Sequence, residues 1–430
     1  VSGMVKKICC FVLFTSFALL GVAGAREESL PTQSKITEII EAAEGGDHEA
    51  QTHLADMYFL GTKGLARDYN KAKFWYQKAA EKGQAESQYK LAIMYSTGEG
   101  VPEDHEKAFF WWKKAAENGH IHAQYTLGKI YFLDQNTPRN LKKAIFWFKK
   151  AAQMGEARAQ FKLGYLFFKG LGVAKDIKKS FFWYKKSAEN GDVLAQSGLG
   201  FLYAKGLGVQ KNLEKAVFWY QRAAEKGETL AQCDLASIYY TGQGIPQDFK
   251  KAFFWYNKAA KRGNVKAQRH LGKLFFKGQG VPKDLKKSFS WFQKAAQKGD
   301  MAAETFLADM YFKGQGTRKD FKEAAFWFEQ AAKKGGRFAQ LRLALMYFNN
   351  QGLAQDFQKA IFWFEKAAKA GDRTAQSMLA AIYLADGCGT PQDLEKTVYW
   401  HKKAAEQGEP LAQNGLGYLY SEGLGVPQDF

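Results

Sequence analysis

Proline is rare in this chain, 8 of 430 residues, and a proline-poor sequence rich in Lys and Ala favours helix. Cysteine is rarer still, with 4 residues. Long apolar runs are nearly absent. One stretch, residues 8–20, is too short to span a bilayer comfortably, and no second one follows. The marks of several enzyme classes are missing as well. The seven histidines form no His-Glu-x-x-His pair, and there is no Gly-x-Ser-x-Gly elbow and no Cys-x-x-Cys. His120 and His122, two apart at a helix start, lack the spacing of a metal site, so no metal and no catalytic residue is assigned. Acidic residues are outnumbered, 43 against 62 Lys and Arg, for a formal net charge of +19. Against these shortages stand 46% hydrophobic and 15% aromatic residues, the composition of a folding chain.

The N-terminal segment reads as an export signal. Residue 1 is Val, and Met4 is taken as the start. Lys6 and Lys7 form a positive n-region, the apolar run follows, and Ala23-Gly24-Ala25 is an A-x-A cleavage site. Residues 1–25 are therefore expected to be removed, leaving a mature chain from Arg26 that is periplasmic or secreted. Cys9 and Cys10 sit at the front of the apolar run and not after a lipobox, so lipidation is not expected. Cleavage removes both, together with two positive charges. The remaining positive charge suits an acidic partner or a membrane surface, or simply solvates the helices. Export argues against nucleic acid as the partner.

A period decides the fold. Trp stands at 75, 111, 147, 183, 219, 255, 291, 327 and 363, always 36 apart, and Trp400 follows after one extra residue in the loop 386–390. A small residue precedes each Trp by three (Ala72, Ala108, Ala144), and Gly follows by eight (Gly83, Gly119, Gly155). Leu recurs sixteen after Trp, Tyr or Phe twenty after, and Asp or Asn seven before. In one copy, Asp104 is an N-cap and Pro102 blocks earlier helix; Ala108, Trp111, Trp112 and Ala115 share a face, and Gly119 closes the helix. A second helix then runs through Ala123, Leu127, Ile130 and Tyr131. The Gly-x-Gly stretches recur once per copy and read as turns, not phosphate cradles. Ala beside Trp is a size match, with Trp expected to fill the space between helices at roughly 2–3 kcal/mol each. Trp219→Ala is then expected to cost about 3–5 kcal/mol. Cys233 and Cys388 lie four copies apart, too far to bridge at about 8–10 Å per helix layer.

The pattern Ala195-Gln196-x-x-Leu199-Gly200-x-x-Tyr203-x-x-Gly206-x-Gly208-Val209, then Lys215-Ala216-x-x-Trp219-Tyr220-x-x-Ala223-Ala224-x-x-Gly227, resembles the Sel1-like repeat family, relatives of tetratricopeptide repeats. The resemblance covers about residues 35–430. It implies an all-α fold, a right-handed α-solenoid of antiparallel helix pairs, and a non-enzymatic adaptor or scaffold. Bacterial members are often exported, with roles in host interaction or the envelope. A cysteine-rich subfamily is linked to β-lactam or peptidoglycan chemistry; this chain lacks those cysteines, which puts that activity in doubt. The expected layout is a linker and capping helix over 26–46, ten repeats over 47–408 and a partial repeat over 409–430, with the array truncated or continuing beyond.

Two surfaces are candidates for binding. The first lies on the leading helix of each pair, which lines the concave face in this fold type. Positions eleven, fifteen, eighteen and twenty-two after Trp form one stripe that varies between copies: Arg158, Lys162, Tyr165 and Lys169, then Leu194, Phe201 and Lys205. Lys266, His270, Lys273 and Lys277 follow, then Phe306 and Lys313. Aromatic rings among lysines suit an acidic or extended peptide of a protein partner. A cell-wall polymer is the alternative partner. The second surface is convex. Phe precedes the Trp in most copies (Phe110, Phe146, Phe182, Phe218 and Phe254 among them), with Lys three before and four after. Lys stems or neighbouring helices are expected to cover these rings; left open, the ladder suits a membrane surface or a second copy. No cofactor is expected.

Overall fold

A computed structural model describes residues 33–427 except 63, 135–137 and 386–391. The segment read as an export signal, the residues between it and residue 33, Cys388 with its loop 386–390, and the last three residues lie outside the described residues. The described residues form 22 α-helices and no strand. The chain divides into two compact units, one ending at Lys226 and the other beginning at Gly227. Within each unit the fold is an α-solenoid: a leading helix such as Ala157–Lys169 packs on the tryptophan helix that follows it, Ile177–Glu189, and each pair packs on the next. The helix Gln33–Glu44 lies against His48–Leu60 at the start, with Ile36 and Ala43 buried.

The helix ends follow from the residues placed there. Asp104 accepts hydrogen bonds from the backbone N–H groups of Glu106 and Lys107, and Asp176 from that of Lys179. Leading helices close on a left-handed glycine, Gly170 for Ala157–Lys169. The second glycine of each Gly-x-Gly turn answers a tighter demand. At Gly316, φ is +75° and a Cβ would lie 2.1 Å from the Leu285 carbonyl oxygen of the preceding tryptophan helix. These turns serve packing.

A buried glutamine ties each leading helix to the helix before it. Gln160 Nε2 donates to the Ala152 carbonyl at 3.0 Å and Gln268 Nε2 to the Ala260 carbonyl at 3.1 Å, satisfying groups that a helix end leaves orphaned. Glu304 occupies this position in one copy; it is buried and pairs with Lys334.

The core differs from the sequence expectation in one respect. The residue after Trp is the deeply buried one: Tyr76, Phe148, Tyr256, Phe292, Phe328 and Phe364 are all under 2% exposed. Its partner is a small residue on the leading helix. A Cβ at Gly164 would come within 2.7 Å of the Tyr184 ring. The size match therefore joins that residue to a leading-helix Gly or Ala. Trp itself bridges copies. Trp147 packs with Trp112 of the preceding pair and with Leu127 and Ile130 of its own leading helix, and Trp363 against the cluster around Phe328 and Leu343. Trp219 is only partly buried whereas Tyr220 is 2% exposed, so the larger loss belongs to Tyr220→Ala.

Candidate protein-binding surface

In the unit ending at Lys226, the helices Ala85–Thr97, Ile121–Leu133, Ala157–Lys169 and Val193–Lys205 present a continuous row of rings and charges. At one end Asp56 accepts a hydrogen bond from the Tyr76 hydroxyl and pairs with Lys90 at 3.1 Å, beside a small open pocket lined also by Phe59 and Ile93. His120 stacks on Tyr89 with centroids 4.3 Å apart. Its Nδ1 accepts from the Ala123 N–H, which leaves Nε2 to donate to Glu86 at 3.0 Å. Arg158 lies 4.6 Å over the Tyr125 ring and donates through Nε to Glu156 at 2.6 Å. Burial alone would raise the Glu156 pKa, but its bonds to His122 and Arg158 outweigh that and hold it at about 2.

Further along, Lys162 sits 5.3 Å over Phe132 and 5.8 Å over Phe161, and Phe168 meets Phe201 edge-on at 6.2 Å. Burial lowers the pKa of Lys162; it also lowers that of Lys129, helped by Lys162 and Arg158 nearby. Lys90 and Arg158 are already paired with Asp56 and Glu156, whereas Lys162 is partly desolvated and outside those ion pairs, so its electrostatics favour an incoming anion.

Of the stripe residues here, Arg158, Lys162 and Phe201 are gathered into the row, and Tyr165 is half-buried within it. Lys169 and Lys205 are exposed at the last turns of their helices, Lys169 5.9 Å from the Phe168 ring.

The unit beginning at Gly227 builds a comparable face from Thr229–Thr241, Val265–Lys277, Met301–Lys313 and Arg337–Phe348. Lys273 lies 5.1 Å over Phe306, which stacks on Phe292 at 4.9 Å. Arg342 lies 4.2 Å over Phe312, and Arg269 pairs with Asp300 at 3.1 Å. Lys266 stands 3.5 Å from Asp234 and Lys313 2.6 Å from Asp309, while Lys277 is exposed. His270 turns towards the core, stacked on Tyr256 at 4.8 Å. Burial, then Arg269, Lys273 and Lys266, push its pKa down to about 3.

The stripe included Phe306, which receives Lys273, but omitted the other rings that receive these cations. Tyr89, Tyr125 and Phe161 stand fourteen after Trp, and Phe132, Phe168 and Phe312 twenty-one after. Each position is one residue before a stripe position, and its recurring aromatic character is the signal that could have found it.

On the tryptophan helices, Phe110, Phe146, Phe182, Phe218 and Phe254 are 48–51% exposed, so neither Lys stems nor neighbouring helices cover them fully. Each meets its Trp edge-on at 4.9–5.1 Å. The Lys or Arg four after the ring does lie over it, as Lys258 over Phe254 at 4.4 Å. The Lys three before does not flank it: Lys107 pairs with its own N-cap Asp104 and lies over Tyr95.

A stacked array of helix pairs with a repeated core and a leading-helix face that changes from copy to copy defines a helical repeat scaffold, a class that typically binds proteins and is generally non-catalytic. The Sel1 repeat family matches consecutive segments from 48–84 through 410–430, and the chain belongs to that family. A solved structure of c5321, a protective antigen present in uropathogenic Escherichia coli strains, is 36% identical with a TM-score of 0.81, over 92% of this chain and 84% of that one. A Sel1 repeat protein from Oxalobacter formigenes is 31% identical with a TM-score of 0.57, over 72% of this chain and 90% of that one. Among curated proteins, the Sel1-repeat-containing protein YjcO of Escherichia coli K12 is 37% identical over 87 residues, 20% of this chain. The component HRD3A of an ERAD-associated ubiquitin ligase in Arabidopsis thaliana is 33% identical over 78 residues, 18% of this chain. These matches span only 32% and 12% of those two proteins.

Proposed function

We propose that this protein is an exported bacterial adaptor that holds an extended, acidic segment of a protein partner along its leading-helix face. The observation that carries this reading is the pair of half-buried cations that lie over rings of the neighbouring leading helix, Arg158 over Tyr125 and Lys162 over Phe132. Such groups supply an acidic peptide with both charge and flat apolar area, and they are already ordered before it arrives. Export rests on the signal-like N-terminus, and the similar c5321 protein's description as a protective antigen is consistent with it.

The test is capture from bacterial envelope extract and from host-cell lysate by the chain from Arg26 onward, beside Arg158→Glu/Lys162→Glu and Lys273→Glu variants. A protein held by the parent, lost from the variants and displaced by excess polyglutamate supports the reading and identifies the partner's compartment. Equal capture by parent and variants removes the leading-helix face from the interaction. Retention on purified peptidoglycan, lost in the same variants, would give the face to cell-wall polymer instead.

A further inference from the structure

The outer face of the tryptophan helices plays no part in the protein-binding reading, yet its chemistry is uneven. The helix Pro138–Gln153 contains no Asp or Glu, and its exposed side carries Lys142, Lys143, Phe146, Lys149 and Lys150. The next tryptophan helix, Ile177–Glu189, carries four lysines around Phe182, of which Lys179 pairs with the N-cap Asp176 and Lys185 with Glu189, while Lys178 and Lys186 have no such pair among the described residues. The two are neighbours, since Trp183 packs against the core formed by Phe148, Ala151 and Leu163. None of the four lysines of Pro138–Gln153 pairs with a carboxylate among the described residues.

The two phenylalanines are held in place. Phe146 meets Trp147 edge-on at 5.0 Å and Phe182 meets Trp183 at 5.1 Å, so each ring is braced by a side chain rooted in the core. Lys150 and Lys186 each stand 4.9 Å over the corresponding ring. About half of each ring remains open, 51% for Phe146 and 48% for Phe182. An apolar tip ringed by flexible cations suits an interface in which the ring enters the acyl boundary while ammonium groups rise to the phosphates. A folded acidic partner would need a fitted apolar recess for each ring at the repeat spacing; a fluid bilayer accepts both without one.

We infer that the face formed by Pro138–Gln153 and Ile177–Glu189 anchors the protein to an anionic phospholipid bilayer, with Phe146 and Phe182 entering the interface and the surrounding lysines engaging lipid phosphates. The chain also carries its own contrast. Leu285–Ala296, in the other unit, is also basic, with Lys286, Lys287 and Lys294 and no Asp or Glu, but has Ser290 where Phe would stand. Charge without the apolar tip predicts adsorption there, not insertion.

The experiment uses the chain from Arg26 onward, which keeps every described helix and omits an apolar run that would itself partition. Vesicles of phosphatidylcholine alone, and of phosphatidylcholine with about one-third phosphatidylglycerol, are sedimented with the protein at low and high salt. The expected result is sedimentation with the anionic vesicles, weakened by salt. Phe146→Gln/Phe182→Gln should reduce the partition coefficient about tenfold or more with helical content and thermal unfolding unchanged. Lys142→Gln/Lys149→Gln should reduce it similarly and flatten the salt dependence. A second readout is quenching of tryptophan emission by lipids brominated on the acyl chain, expected for the parent and lost in the phenylalanine variant. No sedimentation of the parent with anionic vesicles overturns the inference, as does unchanged binding by the phenylalanine variant. Self-association lost in that variant, without vesicle binding by the parent, would give the face to a second copy. Protein capture through Lys162 is unaffected by either variant, so the two readings fail separately.

Discussion

Lysine stands over an aromatic ring on both faces of this array, at similar distances and in different surroundings. Lys162 lies 5.3 Å over Phe132 and Lys273 5.1 Å over Phe306, on leading helices, where burial lowers the pKa of both. Lys150 lies 4.9 Å over Phe146 and Lys258 4.4 Å over Phe254, on tryptophan helices, with the lysines exposed and the rings half open. The contact is the same and the solvent is not. Partly desolvated charge attracts an opposite charge more strongly than charge in open water, so the leading-helix face suits selective recognition. The outer face keeps its charges hydrated and suits long-range, salt-sensitive adhesion.

The sharpest way to separate the two environments uses one helix. Phe148 is fully buried and Phe146, two residues earlier, is half exposed. Phe148→Ala should cost about 3–5 kcal/mol, read as lost hydrogen-exchange protection in its own and the adjoining pairs. Phe146→Ala should stay within about 0.5 kcal/mol. Comparable losses at both sites would mean that the outer ring is a core residue and would remove it as a contact surface.

A smaller effect is expected from the buried end of the leading-helix face. The His270 pKa is held at about 3 against an ordinary 6.5, by burial first and then by nearby cations. Between those values the unfolded chain binds a proton that the folded chain refuses, so stability falls as pH drops through that window and is unaffected above it. His270→Phe should remove this loss, raising the urea midpoint at pH 4.5 relative to the parent by the equivalent of about 2 kcal/mol. Glu156, held at about 2, works in a different window. Its contribution is present above the ordinary carboxylate value of 4.5 and is lost as pH falls towards 2, so Glu156→Gln should flatten the acid limb there.

The smallest effect concerns charge alone. Lys162→Met keeps the stem and removes a partly desolvated cation; thermal unfolding should rise or stay level, within about 1 kcal/mol, while capture of an acidic partner falls. Lys150→Met should leave both stability and capture where they are. A clear loss of stability in Lys162→Met would make that lysine a structural clamp.

The sequence was a good guide wherever one residue answers one local demand. Asp104 and Asp176 cap helices, left-handed glycines close them, and the 36-residue period sets the pair. It was a poorer guide to which neighbour fills a space. Trp219 stood out by its regularity, but Tyr220 takes the deeper position, because burial depends on where a helix face points in the stack and not on side-chain size. The stripe through Lys162, Lys273 and Phe306 was legible from spacing. The Lys162 ring partner Phe132 was not, since it lies outside the stripe on another leading helix brought alongside by packing.

The sequence by itself determined the repeat, its helices, its turns and the excess of positive charge, all properties of covalent order and local stereochemistry. Only the tertiary structure decided that Phe148 is sealed while Phe146 is open, that His270 stacks partly buried on Tyr256 while His120 meets a carboxylate, and that lysines on leading and tryptophan helices stand in different dielectrics. Those outcomes depend on how much water a neighbouring helix excludes, and that is fixed only when the pairs are stacked.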